Sequence, residues 1–249
     1  MQSILNVSSN ARTLVVAALT LSASLTALVL WAGAAPAAPA EEAPCTIVGT
    51  EANDIIHGTT GDDAICGLGG SDHLYGEGGN DVLRGGDSVD ILRGGPGRDV
   101  LEGGNGRDRM HGGSGADVFR GGGGLGDDLV AYWGSKKPVT ITIGDGANDG
   151  PANERDDVQG DVEAIGGTRY DDTLIGNGED NEIWGHRGND RLVGGAGRDY
   201  LVGGEGDDTL DISGDLDHDS AKCGDGLDSV LYDAFDDLIF ALHCENFRR

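Results

Sequence analysis

The 249-residue chain is poor in the residues that ordinary globular cores and many binding surfaces are made from. Aromatics supply only 5% of it and hydrophobic residues 37%, so a conventional core would be thin. The 46 glycines make it thinner, because they add backbone entropy and bury no side chain. Bases are scarce: 17 Lys and Arg face 44 Asp and Glu, for a formal charge of -27. That balance excludes nucleic acid as a partner, since phosphates are gripped by Lys and Arg. It also disfavours an anionic membrane surface. Catalytic signatures are missing. There is no H-E-x-x-H, no G-x-S-x-G and no Walker loop, and no Gly-rich stretch feeds a helix as a dinucleotide fingerprint does. A chain of this kind stays soluble, is disordered, or holds cations.

Acids are also missing from residues 1–40, which carry one base, Arg12. A mostly apolar run from Leu14 to Trp31 precedes the small-residue stretch AGAAPAAPA. This reads as a secretory signal peptide with cleavage after Ala34, Ala37 or Ala40; an uncleaved anchor is the alternative. The expectation is an exported, extracellular chain. Its four cysteines form two local pairs, each 21 residues apart. An even count in an exported chain points to disulfides Cys45–Cys66 and Cys223–Cys244. A single four-thiolate metal site would need the two ends to meet and lacks C-x-x-C spacing.

What the chain has in quantity is a nine-residue rhythm. From Gly49 it reads GTEANDIIH, GTTGDDAIC, GLGGSDHLY, GEGGNDVLR, GGDSVDILR, GGPGRDVLE, GGNGRDRMH and GGSGADVFR. Gly121 and Gly122 are read as inserted, and Gly123 opens GGLGDDLVA. A second array from Gly167 reads GTRYDDTLI, GNGEDNEIW, GHRGNDRLV, GGAGRDYLV and GGEGDDTLD. Of these 14 units, all open on Gly, 10 have Gly at position four, 13 have Asp at position six and all are apolar at position eight.

Positions one to six tolerate tight turns and left-handed backbone. Positions seven to nine alternate out, in, out, as a three-residue strand does. A lone strand of that length is unstable. Stacked in parallel, two units per coil, such strands build a thin continuous core from one apolar side chain each. Equivalent residues then lie 18 apart in sequence and about 4.8 Å apart in space. Asp54, Asp72, Asp90 and Asp108 fall on one edge, and Asp63, Asp81, Asp99 and Asp117 on the other. Bare carboxylates about 5 Å apart repel by roughly 1–3 kcal/mol, so the ladder calls for cations. Carboxylate and exposed Gly carbonyl oxygens suit Ca²⁺ better than Mg²⁺.

The motif GGxGxDxUx resembles the calcium-binding nonapeptide of RTX proteins, a known repeat signature. Stretches such as CTIVGTEANDIIHGTTGDDAICGLGGSD and CGDGLDSVLYDAFDDLIFALHCE are similar to haemolysin-type calcium-binding repeat proteins of actinobacteria. The resemblance implies an all-β, right-handed parallel β-roll with several Ca²⁺ ions held by position-six side chains and turn carbonyls. The candidate ligands are Asp54, Asp63, Asp72, Asp81, Asp90, Asp99, Asp108, Asp117, Asp128, Asp172, Asn181, Asp190, Asp199 and Asp208. The turns at Gly49, Gly167, Gly176 and Gly85 depart from the motif at position four, and Asn181 lacks the carboxylate, so these are the weaker sites.

The organisation read from the chain is a signal peptide over 1–40, a first array over 41–131, a spacer over 132–166, a second array over 167–211 and a degenerate cap over 212–249. In the spacer, KKPVTITIG reads as a strand, with a loop insertion as the plain reading and a further Ca²⁺ site at Asp145, Asp149 and Asp157 as the sharper one. After Asp211 the register slips: Gly214, Cys223 and Tyr232 open units with Asp219, Asp228 and Asp237 at position six. Asp215, Asp217 and Asp219 start like an EF-hand loop, but Ser220 and Gly226 break that motif. His57, His73 and His111 face outward without an assembled partner, and the pair Asp62 and Asp63 is better explained by the repeat than by glycosidase chemistry. Arg84, Arg93, Arg98, Arg107, Arg109 and Arg120 form a partly basic face that balances acidic turns. Its alternative role is to meet a cell-wall or extracellular polysaccharide, with Trp133 and Trp184 offering ring faces. The expectation is a secreted, monomeric, non-enzymatic protein that folds on Ca²⁺. The alternatives are a surface adhesion or spacer protein and an accessory module of a polysaccharide lyase or epimerase.

Overall fold

The computed structural model describes residues 44–124, 126–234, 236 and 244–248. The signal-peptide assignment and the expected rung at Asp237 lie outside the described residues. The fold is all-β: parallel sheets wind into a β-solenoid with no helix among the described residues. Successive strands alternate between two walls. One wall is a single nine-stranded sheet centred on Ile56, Leu74, Leu92, Met110, Val130, Ile165, Ile183, Leu201 and Ala221. The other begins as a six-stranded sheet centred on Ile47, Ile65, Leu83, Leu101, Phe119 and Val158. It continues as a seven-stranded sheet through Ile141, Leu174, Leu192, Leu210, Val230 and Phe247, with Gly150–Pro151 antiparallel at its edge.

The 18-residue spacing is the pairing register. Ile65 lies beside Leu83 and Leu74 beside Leu92. Position-eight side chains from Ile65 to Leu210 are fully buried in one cluster that runs the length of the coil. Each such burial contributes roughly 1.5–3 kcal/mol. The strands are longer than the three residues expected. Val82–Asp87 and Ile91–Pro96 have six, because the ladder runs on into the next unit, with Gly86 beside Gly104 and Asp87 beside Asn105. The true turn is therefore short, and position four sits in its tightest place. A Cβ on Gly115, where φ is +142°, would run into the carbonyl oxygen of Gly97 one coil away.

Two register readings are corrected by the ladder. Gly122, not Gly124, pairs with Gly104, so Gly121 takes position one and the two extra residues swell the turn behind it. After Asp211 the same happens. Ile212 donates its N–H to Leu231 as a position-one residue does, and the turn carries the extra length before Asp219. Strands paired on both sides cannot shift without flipping a buried side chain outward, so insertions are absorbed in turns.

Residues 132–166 do more than loop out. Val139–Thr142 enters the coil as an additional strand beneath Thr173–Ile175, while Asp157–Val158 stacks on Val118–Phe119. The N–H of Gly144 reaches Val158 O at 2.8 Å and links the two pieces. The spacer thus splices one sheet to the next on one wall, while the other wall runs through unbroken. Both expected disulfides are present: Cys45–Cys66, with Cα atoms 5.9 Å apart, ties down the first coil. Cys223–Cys244, at 5.3 Å, ties the C-terminal strand region to the last coils.

Candidate metal centre

Position six precedes the buried strand residue by two, so every position-six side chain sits where the turn enters a strand. Its backbone N–H donates to a carboxylate oxygen of the next rung. On the long wall, Asp54 bonds to Asp72, Asp72 to Asp90, Asp90 to Asp108 and Asp108 to Asp128 Oδ1, at 2.7–2.8 Å. On the other wall Asp63, Asp81 and Asp99 bond in turn to Asp81, Asp99 and Asp117. Asp172, Asp190 and Asp208 continue the pattern to Asp190, Asp208 and Asp228, each at 2.8 Å. Asn181 and Asp199 do so on the long wall, to Asp199 and Asp219.

Each accepting rung thereby commits one oxygen to the backbone, and in nine of them the other is stranded. Oδ2 of Asp72, Asp81, Asp90, Asp99, Asp108, Asp190, Asp199, Asp208 and Asp228 is buried without a hydrogen-bond partner. Burial pushes the carboxyls up: Asp90, Asp128, Asp190 and Asp199 to about 7, and Asp99, Asp108 and Asp208 to about 6. Asp117 reaches about 8, through burial first and then the charges of Asp156 and Asp99. A buried carboxylate oxygen without a donor is costly unless a proton or a cation meets it.

The position-one glycine completes the corner. A Cβ on Gly103 would stand 2.6 Å from Asp108 Oδ2 and 2.8 Å from the carbonyl oxygen of Gly121. Glycine keeps this cradle open and lets a carboxylate and a backbone carbonyl face the same space. Among the described residues no three His, Cys, Asp or Glu side chains gather as a metal-binding group. A cation in these turns would therefore draw part of its shell from carbonyls, which is the hard, all-oxygen donor set that suits Ca²⁺. The residues present fit that ion.

Three ladder members escape the nine-residue pattern. Asp117 donates to Asp156 Oδ1, Asp128 to Glu163 Oε2 and Asp228 to Glu245 Oε2. Asp156 and Glu163 each stand two residues before a buried apolar residue, Val158 or Ile165, and Glu245 stands two before the half-exposed Phe247. Among the described residues Asp145, Asp149 and Asp157 of the spacer form no metal-binding group, and Oδ1 of Asp157 is buried without a hydrogen-bond partner. Asp149 accepts N–H groups from Thr142 at 2.7 Å and Val158 at 2.9 Å, and Asp145 accepts from Asn148. Asp219 belongs to the ladder and not to an EF-hand loop. His57 does have a partner, Glu77 at 2.7 Å, and His111 Nδ1 lies 2.9 Å from the carbonyl oxygen of Ala131.

The basic face divides. Arg84 and Arg120 both pair with Glu102, at 2.8 and 2.7 Å, and Arg107 with Glu182 at 3.3 Å, so these balance local acids. Arg93 instead lies over the ring of Tyr75, 5.6 Å from its centre.

A family model described as the RTX calcium-binding nonapeptide repeat (4 copies) matches residues 46–74, 67–101, 93–130, 166–201 and 187–220. Together these segments cover more than half of the chain and leave out the spliced spacer. No curated protein matches the chain.

Proposed function

The chain belongs to the RTX calcium-binding nonapeptide-repeat family, and on that premise we propose that it is an exported module whose coil assembles when Ca²⁺ meets its stacked aspartates. The observation that carries this reading is the row of buried Oδ2 atoms without donors. In the absence of metal, each would keep its charge at a desolvation cost or take up a proton. Asp72, Asp81, Asp90, Asp99, Asp108, Asp117, Asp128, Asp190, Asp199 and Asp208 would hold the ions, together with turn carbonyls. Ca²⁺ supplies positive charge and hard-oxygen coordination there, and its binding free energy is folding free energy. Affinities around 10⁻⁴–10⁻³ M are typical of extracellular modules, so a chain made in low-calcium cytoplasm would fold after export. Two disulfides support the same compartment. The acids serve as backbone acceptors and cation ligands, which supports a structural, monomeric module without catalysis of its own.

Far-ultraviolet circular dichroism on the mature chain tests the switch. The expected result is little strand signal in EDTA and a cooperative gain with Ca²⁺ in the millimolar range. Identical spectra reject calcium-driven folding.

One observation favours a polysaccharide partner. The residues that flank the buried strand centres of the long wall carry Glu182 as their one acid among the described residues, with Glu205 and Asp225 at the far ends of their strands, in a chain of charge -27. The same face holds Tyr75, Arg93, Arg109, Trp184, Tyr200 and Lys222. Half-exposed Trp133 stands edge-on to His111 and His186, with ring centres 5.5 and 5.7 Å away. Ring faces and cations in a column suit an extended acidic glycan. Retention on an immobilised acidic polysaccharide in saturating Ca²⁺, weakened by Arg93→Ala and Trp133→Ala and absent on dextran, is expected. Equal behaviour of the wild type on both resins removes this partner.

A further inference from the structure

The turns are of two kinds, and the backbone conformation at position two separates them. At Leu68, Glu77 and His186 this position has φ of +83°, +74° and +79°, and at Gly86 +118°. In the turns built this way at Gly67, Gly76, Gly85 and Gly185, Oδ2 of the position-six Asp has no donor. Thr50, Thr59, Thr168 and Asn177 are not left-handed. There the position-two N–H donates to the position-six side chain: Thr50 to Asp54 Oδ2 at 2.7 Å and Thr59 to Asp63 Oδ2 at 2.6 Å. Thr168 does the same to Asp172 Oδ2 at 2.5 Å, and Asn177 to Asn181 Oδ1 at 2.7 Å. A β-branched threonine resists positive φ, so it selects the closed turn.

The closed turns open each array, and two acids of the splice, Asp156 and Asp149, are satisfied as well, while Oδ1 of Asp157 has no donor. Asp156 accepts from Asp117 N–H and, through Oδ2, from the buried hydroxyl of Tyr132 at 2.8 Å. Asp149 has an N–H on each oxygen. Asp172 also accepts the N–H of Val139 on Oδ1, which joins the splice to the second array.

We infer that this chain carries calcium-independent seeds, the first disulfide-tied coil and a central segment over residues 132–183, and that calcium loads two separate blocks stacked on them, residues 67–131 and 185–231. The inference rests on the calcium-binding reading above and adds where the metal is not needed. In the seeds, N–H and O–H donors occupy the place that a cation would take beside Oδ2. The strands at either end of the central segment then offer paired edges on which metal-loaded coils add in order, as in other one-dimensional repeat folds.

Hydrogen exchange read by mass spectrometry on the mature wild-type protein tests this without any variant. In EDTA, peptides within 139–183 should exchange at least about tenfold more slowly than peptides within 91–131 or 200–231, and Ca²⁺ should slow all of them. Uniform exchange across the three regions in EDTA overturns the inference. Calcium counting by calorimetry provides the second arm. Asp108→Asn and Asp199→Asn should each remove about one ion, whereas Asp63→Asn and Asp172→Asn should remove none. Asn181 already shows that a carboxamide fits a closed turn. Equal losses in all four variants overturn the seeds while leaving calcium binding intact. A wild type that takes up no calcium overturns the function itself.

Discussion

Asp117 shows what this fold does to a single side chain. Its carboxyl is pushed up to about 8 by burial, with the charges of Asp156 and Asp99 adding to the shift. Others on the ladder reach about 6 to 7 for the same first cause. An unfolded Asp titrates near 3.9, so the metal-free coil takes up protons that the unfolded chain does not. The stabilisation is complete below the unfolded pKa and is lost as pH rises through about 6 to 8. In EDTA, therefore, the residual strand signal should be greater near about pH 4.5 than near about pH 8. In saturating Ca²⁺ acid should instead weaken the fold, because protons compete for the same oxygens. A strand signal in EDTA that rises with pH contradicts the buried ladder. The identity of the ladder residues was legible at this scale wherever the nine-residue frame holds. Asp156, Glu163 and Glu245 were not, because each lies outside that frame and joins the ladder only through the stacking of distant strands.

At the scale of elements, a turn and a strand behave differently toward extra length. The strands keep their register because each buries one side chain, and the two-residue insertions near Gly121 and Gly214 are taken up in turns. The spacer is the larger case. KKPVTITIG does form a strand, Val139–Thr142, but its neighbour is Thr173–Ile175, thirty-odd residues along the chain. Asp149 is the fastening of that splice. Asp149→Ala would leave the N–H groups of Thr142 and Val158 without their acceptor, and hydrogen bonds to a charged group contribute about 1.5–3 kcal/mol. Urea unfolding in saturating Ca²⁺ should show a loss of at least that size. An unchanged midpoint would mean that the splice contributes nothing to holding the walls together.

Across the whole molecule, stability is close to a sum over coils, each resting on its neighbours. Free ends are then the weak points, and both are tied by disulfides. Each closes a loop worth about 3 kcal/mol in the chain-entropy model. Cys45→Ser with Cys66→Ser should therefore lower the melting temperature and speed exchange first in the coil at Ile56 and Ile65, leaving Leu201 protected. A change in the middle should act globally. Phe119 is fully buried where the first array meets the splice, and Phe119→Ala should cost about 3–5 kcal/mol in a calcium-saturated melt. Loss confined to one array in that variant would show that the two arrays unfold independently.

The sequence by itself determined the coil. A buried residue every nine positions and a carboxylate two before it can be satisfied together by parallel stacking, and Cys45, Cys66, Cys223 and Cys244 fall where local pairs can form. Tertiary structure decided which carboxylates are left wanting. That depends on the peptide orientation at position two, on the hydroxyl of Tyr132 reaching Asp156, and on Val139 donating to Asp172 across 33 residues. Such bonds join groups that no local rhythm brings together, because a hydrogen bond is fixed by direction and distance in space, whereas the repeat fixes only spacing along the chain.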